Sequence, residues 1–386
     1  MSNEKKVIAK KDWSASFNLI GKPVINDYTF RIDEKSEKSS WVYNALNLGV
    51  DCGEKFGVVY AEMMGGYSEE NENIIYAHGK KEDGSDDFDA QIQVAWEDRD
   101  NEDILEKIGD LSFITVGLEK TDKGKTFYNK FLSAYDAISY IKEHITEDMV
   151  VNVRGNLKYS EYQDKTQVRK NITSIVLSKV DDPADYRAHF TQSIIIDSES
   201  ASLKNVDKEK GVMFVDAIVL DYVKEKNGKE IKGQYPFRKE FEFALDFTNQ
   251  TQCNAIMNKL FKVAKGYTQI TFEGDLIEGG AVITATIDDI PDDIKDLIAM
   301  DLYTEEEALK ACSSNGSRER RMVLRKPYIK LVGDDKIPVV QKFEERFAEG
   351  DFVFDTNKED DDEVPFDADN ETKSESVDDM SWLDSL

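Results

Sequence analysis

A helix followed by a glycine-bearing strand occurs twice in this sequence, and that repeat restricts the fold more than any other feature. In the first copy Ala134, Ala137, Ile138, Ile141 and Ile145 fall at helical spacing and give residues 133–145 one apolar stripe. Val151, Val153, Leu157 and Tyr159 then alternate with Asn152, Arg154, Asn156 and Lys158, the period of a half-buried strand, with Gly155 inside it. Residues 161–165 make a polar turn and residues 168–177 return as a second strand. In the second copy Ile256, Leu260, Val263 and Ala264 share a helical face, and Ile270-Thr271-Phe272-Glu273-Gly274-Asp275-Leu276 follows. Both strands read apolar-x-apolar-x-Gly-x-Leu. The interval from Ala137 to Gly155 is 18 residues, and from Ala255 to Gly274 it is 19.

Strand-like runs precede each copy. Residues 13–20, 41–52, 56–64, 74–78, 88–96 and 111–118 are separated by turns such as Gly21-Lys22-Pro23, Gly53-Glu54-Lys55 and Gly65-Gly66. Residues 193–196, 212–223 and 234–247 precede the second copy, with Asn227-Gly228 as a hairpin signal between the last two. Strands, one helix, a Gly-bearing strand and a final strand is the order of the five-stranded oligonucleotide/oligosaccharide-binding (OB) barrel. The expected fold is mainly β: two OB-like barrels in tandem, each with one inserted helix, followed by a disordered acidic tail. The first barrel is expected to carry an insertion around residues 69–87.

This order sets four expected parts. Residues 1–12 are a basic arm bearing Lys5, Lys6, Lys10 and Lys11, and residues 13–182 are the first barrel domain. After a charged, Pro-containing linker at 181–185, residues 186–347 form the second, with short helices at 292–300 and 304–312 and a capping box from Thr304 to Glu307. A basic segment then leads into an apolar-alternating strand at 328–332. Residues 348–386 are the tail. Residues 349–386 hold 15 Asp or Glu against two Lys, a net of −13 out of −28, which leaves −15 for residues 1–348. Beyond Phe354 that segment is nearly without apolar residues outside Val364-Pro365-Phe366 and Trp382-Leu383, too few to offset the entropy of ordering it. Two aromatic islands on an acidic tether suit a recruiting element better than a plain solubiliser.

Other classes find little support. No apolar run approaches the roughly 20 residues of a membrane span, and residues 1–6 lead into polar sequence without a signal-peptide core. Cys52, Cys253 and Cys312 are distant from one another, as expected in a reducing cytoplasm, a host's if the chain is phage-encoded. With three His and no Cys or His pair at ligand spacing, no metal and no cofactor are expected. No P-loop and no Gly-x-Ser-x-Gly is present, and Asp288-Asp289 and Asp292-Asp293 flank Pro291 as a helix start does. The expectation is a non-enzyme.

In this arrangement of arm, OB-like body and acidic, aromatic-tipped tail, the chain resembles the single-stranded-DNA-binding proteins of replication, particularly those of bacteriophages. Asp361-Asp362-Glu363-Val364-Pro365-Phe366 is similar to the acidic, Pro-Phe-ending tip of the bacterial proteins. There the tip is the extreme C-terminus, whereas here it is internal and Trp382-Leu383 lies nearer the end. The resemblance implies single-stranded DNA as ligand and a tail that competes with it for a basic groove. It also implies recruitment of replication or recombination proteins (polymerase, helicase or primase) through Asp361, Asp362, Val364, Pro365, Phe366, Trp382 and Leu383.

Single-strand binders combine aromatic platforms with cations along the phosphates. With Leu46, Leu48, Val50 and Cys52 facing the core, Trp41 and Tyr43 share the opposite face, where they stack on bases or are covered by the insertion or the second domain. Arg154 and Lys158, with Arg169 and Lys170 on the returning strand, form a phosphate track or a solvated sheet face. Tyr159 and Tyr162 either add stacking or close the barrel end. Tyr235 and Phe237, with Arg238 and Lys239 beside them, start a strand face whose Phe241, Phe243 and Phe247 are expected in the core, as is Trp96 with Phe88, Ala90, Ile92 and Val94. Arg318, Arg320, Arg321, Arg325 and Lys326 form the densest basic cluster, which contacts phosphate or holds the tail when DNA is absent. The acidic body weighs against DNA binding. It keeps open an acidic protein-interaction or DNA-mimic protein and, third, a phage structural component.

Overall fold

The computed structural model describes residue 8, residues 10–279 except 164 and 227, residues 295, 298 and 304, and residues 319–352 except 334. The first half contains β1 (Ala15–Val24), β2 (Phe30–Lys35), β3 (Trp41–Asp51), β4 (Val58–Ser68), β5 (Ile74–Lys80), β6 (Asp86–Ala95), the short helix α1 (Glu102–Leu105), β7 (Ile114–Lys120) and β8 (Thr126–Phe131). It closes with α2 (Ala134–His144), β9 (Val151–Tyr162) and β10 (Lys165–Leu177). The second half contains β11 (Arg187–Ile196), β12 (Ala201–Asp207), β13 (Val212–Lys226), β14 (Lys229–Ala244), α3 (Gln250–Ile256), β15 (Tyr267–Gly279) and β16 (Glu319–Pro327). A hairpin, β17 (Ile329–Val332) and β18 (Ile337–Val340), and a last strand, β19 (Lys342–Phe347), follow.

Five strands of the first half close on themselves. β1 pairs β3 and β9, β3 pairs β4, β9 pairs β10, and a parallel bridge from Asn171 to Glu62 joins β10 to β4. With α2 between the third and fourth of these strands, this is an OB-like barrel. The alternation in β9 sends Val151, Val153, Gly155, Leu157 and Tyr159 inward. Gly155 sits opposite Phe17, and a Cβ there would lie 1.9 Å from the Asn171 carbonyl oxygen and 2.8 Å from the Phe17 ring. Only glycine lets the two strands meet across that ring. Ser133 caps α2 by accepting the Tyr135 amide at 3.1 Å, and the helix buries Ala137, Ile138 and Ile141. Buried Asn44 fixes it from below, donating to Tyr135 O at 2.8 Å and Ser139 Oγ at 2.9 Å.

The same circuit of pairings recurs in the second half. β11 pairs β13 and β15, β13 pairs β14, β15 pairs β16, and β16 runs parallel to β14. Gly274 lies opposite Phe190, and a Cβ there would meet that ring at 2.5 Å, the counterpart of the Gly155–Phe17 contact. β1 and β11 pair antiparallel with Phe17 opposite Phe190, so the repeat's two phenylalanines meet on the seam.

Several expectations change. The insertion occupies everything between β4 and α2: the separate hairpin β5–β6, α1 and the pair β7–β8. Within it Val94 is buried, but Phe88 is 62% exposed, because β6 belongs to a two-stranded ribbon with one covered face. Trp96 is half-buried, stacked among Tyr67, Tyr135 and the Arg99 guanidinium. The second helix starts earlier than its apolar stripe, since Asn249 caps it by accepting the Gln252 amide at 3.0 Å, and a wide turn at 257–261 buries Leu260 and Phe261. The basic segment is strand β16, paired with β14 and β15, and the strand expected at 328–332 is one arm of an apolar hairpin. Phe352 packs on Tyr267 and Phe347, so contact with the body continues past Phe347. Apart from residues 295, 298 and 304, the helices expected at 292–312 lie outside the described residues, as does the tail from residue 353 onward.

Candidate nucleic-acid interface

A groove of about 630 Å³ lies on the outer face of the first barrel. Its floor comes from the middle of β3 and β4 and from the β9–β10 hairpin, and its far wall is the end of β13. Alternation places the floor residues. Leu46 and Leu48, Ala61 and Met63, and Leu157 and Tyr159 turn inward, which leaves Asn47, Glu62 and Lys158 facing out. Arg169 and Asn171 face out beside Lys158 and Asn156 on the neighbouring strand. The wall adds Tyr222, 49% exposed, together with Lys224 and Lys226.

Charge in the groove is balanced: Lys158, Arg169, Lys224 and Lys226 against Glu62, Glu161, Asp221 and Glu225. Asp221 organises it. Its Oδ2 accepts the buried Tyr159 amide at 2.7 Å, while Oδ1 lies 3.4 Å from Lys158 Nζ and 3.6 Å from Lys10 Nζ. Burial pushes the Lys10 ammonium down from its ordinary range, opposed by the charge of Asp221. Lys226 pairs with Glu161 at 2.9 Å. Burial pushes the Glu62 carboxyl up, and the positive charges of Arg169 and Lys170 work against that push.

The residues singled out from sequence divide sharply. Lys158 and Arg169 line the groove, and exposed Arg154 continues outward along β9. Trp41 and Tyr43 are half-buried on the strand face that carries Asn47, beyond the groove's end. Tyr162 is 48% exposed at the hairpin tip. Tyr159 is a core residue instead, its hydroxyl donating to Gln192 at 2.8 Å, so it closes the barrel end and offers no ring to a base. Lys170 is likewise buried, paired with Glu278 rather than turned to phosphate. In the second half Phe237 is buried beneath half-buried Tyr235, while Arg238 is exposed.

The basic cluster is largely spent within the body. Arg321 Nε lies 2.9 Å from both oxygens of Glu242, Arg325 Nε lies 2.9 Å from Asp275, and Lys326 Nζ lies 2.8 Å from Glu273. These cations hold β16 to its neighbours, which a run of basic residues in sequence does not disclose. Arg320 is exposed, and Arg318 lies outside the described residues, as do Asp361, Asp362, Val364, Pro365, Phe366, Trp382 and Leu383. Sequence reasoning missed Glu62, Asn171, Asp221 and Tyr222. The outward phase of β4 was available as a signal for Glu62, but nothing local shows that β13 supplies the opposite wall.

Barrel and groove together define a mainly β protein with an OB-like barrel and a polar, mixed-charge cleft on its outer face. The chain belongs to the YorF family, whose model matches residues 74–293, more than half of the 386. None of the curated proteins matches it. Among solved structures it is similar to a crystal structure of a deletion mutant of the single-stranded DNA binding protein from Thermus aquaticus, with 10% identity, 68% of this chain and 86% of that chain covered, and a TM-score of 0.28. The OB-like assignment rests on the strand circuit, not on that likeness. Among the described residues no helix is long and apolar enough to cross a membrane, and no group of His, Cys, Asp or Glu is placed to hold a metal ion.

Proposed function

We propose that this protein binds single-stranded DNA through the groove of its first barrel and serves DNA replication or recombination in a cytoplasm, as a non-enzyme. The observation that carries the reading is the groove itself. It lies across the second and third barrel strands and the hairpin joining the fourth and fifth, the face with which OB barrels take oligonucleotides. Lys158, Arg169 and Arg154 suit phosphates, and Tyr222, Tyr162, Tyr43 and Trp41 suit bases. The recurring strand circuit supports reading the chain as two OB-like barrels in tandem. The tail, with Val364-Pro365-Phe366 and Trp382-Leu383 on an acidic tether, recruits partner enzymes and occupies the groove until DNA displaces it.

Titration with oligo-dT tests this. Binding should weaken as salt rises, and K158E/R169E should lose roughly tenfold or more in affinity, two phosphate contacts being reversed. Wild-type-like binding by that variant would place DNA elsewhere. A second reading has its own support in the internal pairing of Arg321, Arg325 and Lys326 and in the net charge of −28. On that reading the acidic exterior meets a basic protein as a DNA mimic. It predicts no DNA affinity with or without the tail.

A further inference from the structure

Three polar side chains from three adjacent strands stand side by side on the groove floor. Asn47 and Glu62 are directly opposed in the β3–β4 register, and Asn171 is opposed to Glu62 across the parallel β10–β4 bridge. Their strand neighbours Leu46, Leu48, Ala61, Met63 and Ile172 are buried, so the three turn into the groove together, and all three line it. Strands lie about 4.8 Å apart, which brings two amides and the carboxyl between them within reach of one planar ring.

Glu62 is the unusual member. A carboxylate present only for solubility stands free in water, whereas this one is half-buried on the groove floor. Among the described residues no side chain hydrogen-bonds to it. Its oxygens therefore face the groove with acceptor capacity to spare, and ionised carboxylates accept without donating. The flanking amides of Asn47 and Asn171 both donate and accept. Tyr222 stands exposed in the opposite wall, where a base lying over the floor meets its ring.

We propose that Asn47, Glu62 and Asn171 read the hydrogen-bonding edge of one base, and that Glu62 selects an exocyclic amino group there, favouring cytosine over uracil. This inference rests on the single-stranded-DNA reading above and sharpens it. Binding along the rest of the strand tolerates any base, and one position carries a preference. The 4-amino group of cytosine donates one hydrogen to the Glu62 carboxylate and the other to the side-chain oxygen of one flanking Asn, while the amide of the other Asn donates to its ring nitrogen. Uracil has the same size and stacks alike, but turns a keto oxygen toward the carboxylate. Two acceptors then face each other with neither satisfied, and that mismatch is the source of discrimination.

The test compares labelled oligo-dC and oligo-dU of equal length by fluorescence anisotropy, at neutral pH and low salt, with full-length and tail-deleted protein. Wild type should bind oligo-dC roughly five- to tenfold more tightly, about one good base contact per site. Glu62→Gln can donate to a keto oxygen or accept from an amino group. It should bring the two affinities within about twofold, mainly by strengthening oligo-dU binding. Its thermal midpoint guards against misfolding. Equal wild-type affinities, or a preference that survives in Glu62→Gln, would overturn this inference and leave the DNA-binding reading standing. Failure of both oligonucleotides to bind the tail-deleted protein overturns the two together.

Discussion

Asp221 shows how much rests on one carboxylate. It satisfies the Tyr159 amide inside the barrel end and neutralises Lys158 and Lys10 at the groove rim. Asp221→Asn removes the charge but keeps one acceptor for two backbone amides, those of Tyr159 and Tyr222. Stability should fall by about 1–2 kcal/mol, while oligo-dT affinity rises roughly threefold as Lys158 and Lys10 become available to phosphate. Asp221→Ala should cost more, about 2–3 kcal/mol in denaturant titration, since the Tyr159 and Tyr222 amides both lose their acceptor. Asp275 makes the matching point for acid. Burial pushes its carboxyl up, but hydrogen bonds from His189 and Lys55 and the charge of Arg325 outweigh that and hold it at about 2. A carboxyl whose folded pKa lies below its unfolded value contributes stability above the unfolded value, near 4, and loses it as pH falls toward 2. Denaturation midpoints of wild type should therefore drop more steeply through that window than those of Asp275→Asn. Parallel curves would remove Asp275 from the acid response.

At the scale of elements, the β17–β18 hairpin stands apart. Ile329, Leu331, Val332, Ile337, Val339 and Val340 are all exposed, and each strand pairs only with the other. Its base is set in the body: Tyr328 N donates to Thr271 O, and Gln341 N donates to Tyr328 O. Replacing residues 329–340 with a short Gly-Ser turn should move the thermal midpoint by no more than about 3 °C, because little core is lost. A larger drop would assign the arm a structural duty. The elements also show what sequence could reveal. The helix–Gly-strand repeat was legible because packing against Phe17 and Phe190 admits no side chain at Gly155 and Gly274, which leaves a mark at fixed spacing. The extent of the insertion was not, since β5–β6 and β7–β8 alternate like barrel strands and nothing local tells which ribbon pairs with what. β16 was hidden by its charge, its arginines being matched by Glu242 and Asp275 from distant strands. The groove was half legible. Lys158 and Arg169 follow from alternation along one hairpin, but the wall depends on how the second half sits against the first.

For the whole molecule, the distribution of charge decides the account. A net of −28 would repel a polyanion everywhere if spread evenly, yet residues 349–386 hold −13 of it. On the proposed reading, a groove of balanced charge and a tethered polyanion set tail and DNA in competition, governed by salt and by the tether. Oligo-dT binding by full-length protein and by protein ending at residue 348, across a salt series, measures that competition directly. Both forms should bind at low salt with log K falling linearly in log salt, by roughly 0.7 for each phosphate contacted, and the shortened form should bind more tightly at every salt concentration. Absence of binding by the shortened protein at low salt would contradict the account and leave the acidic mimic in its place.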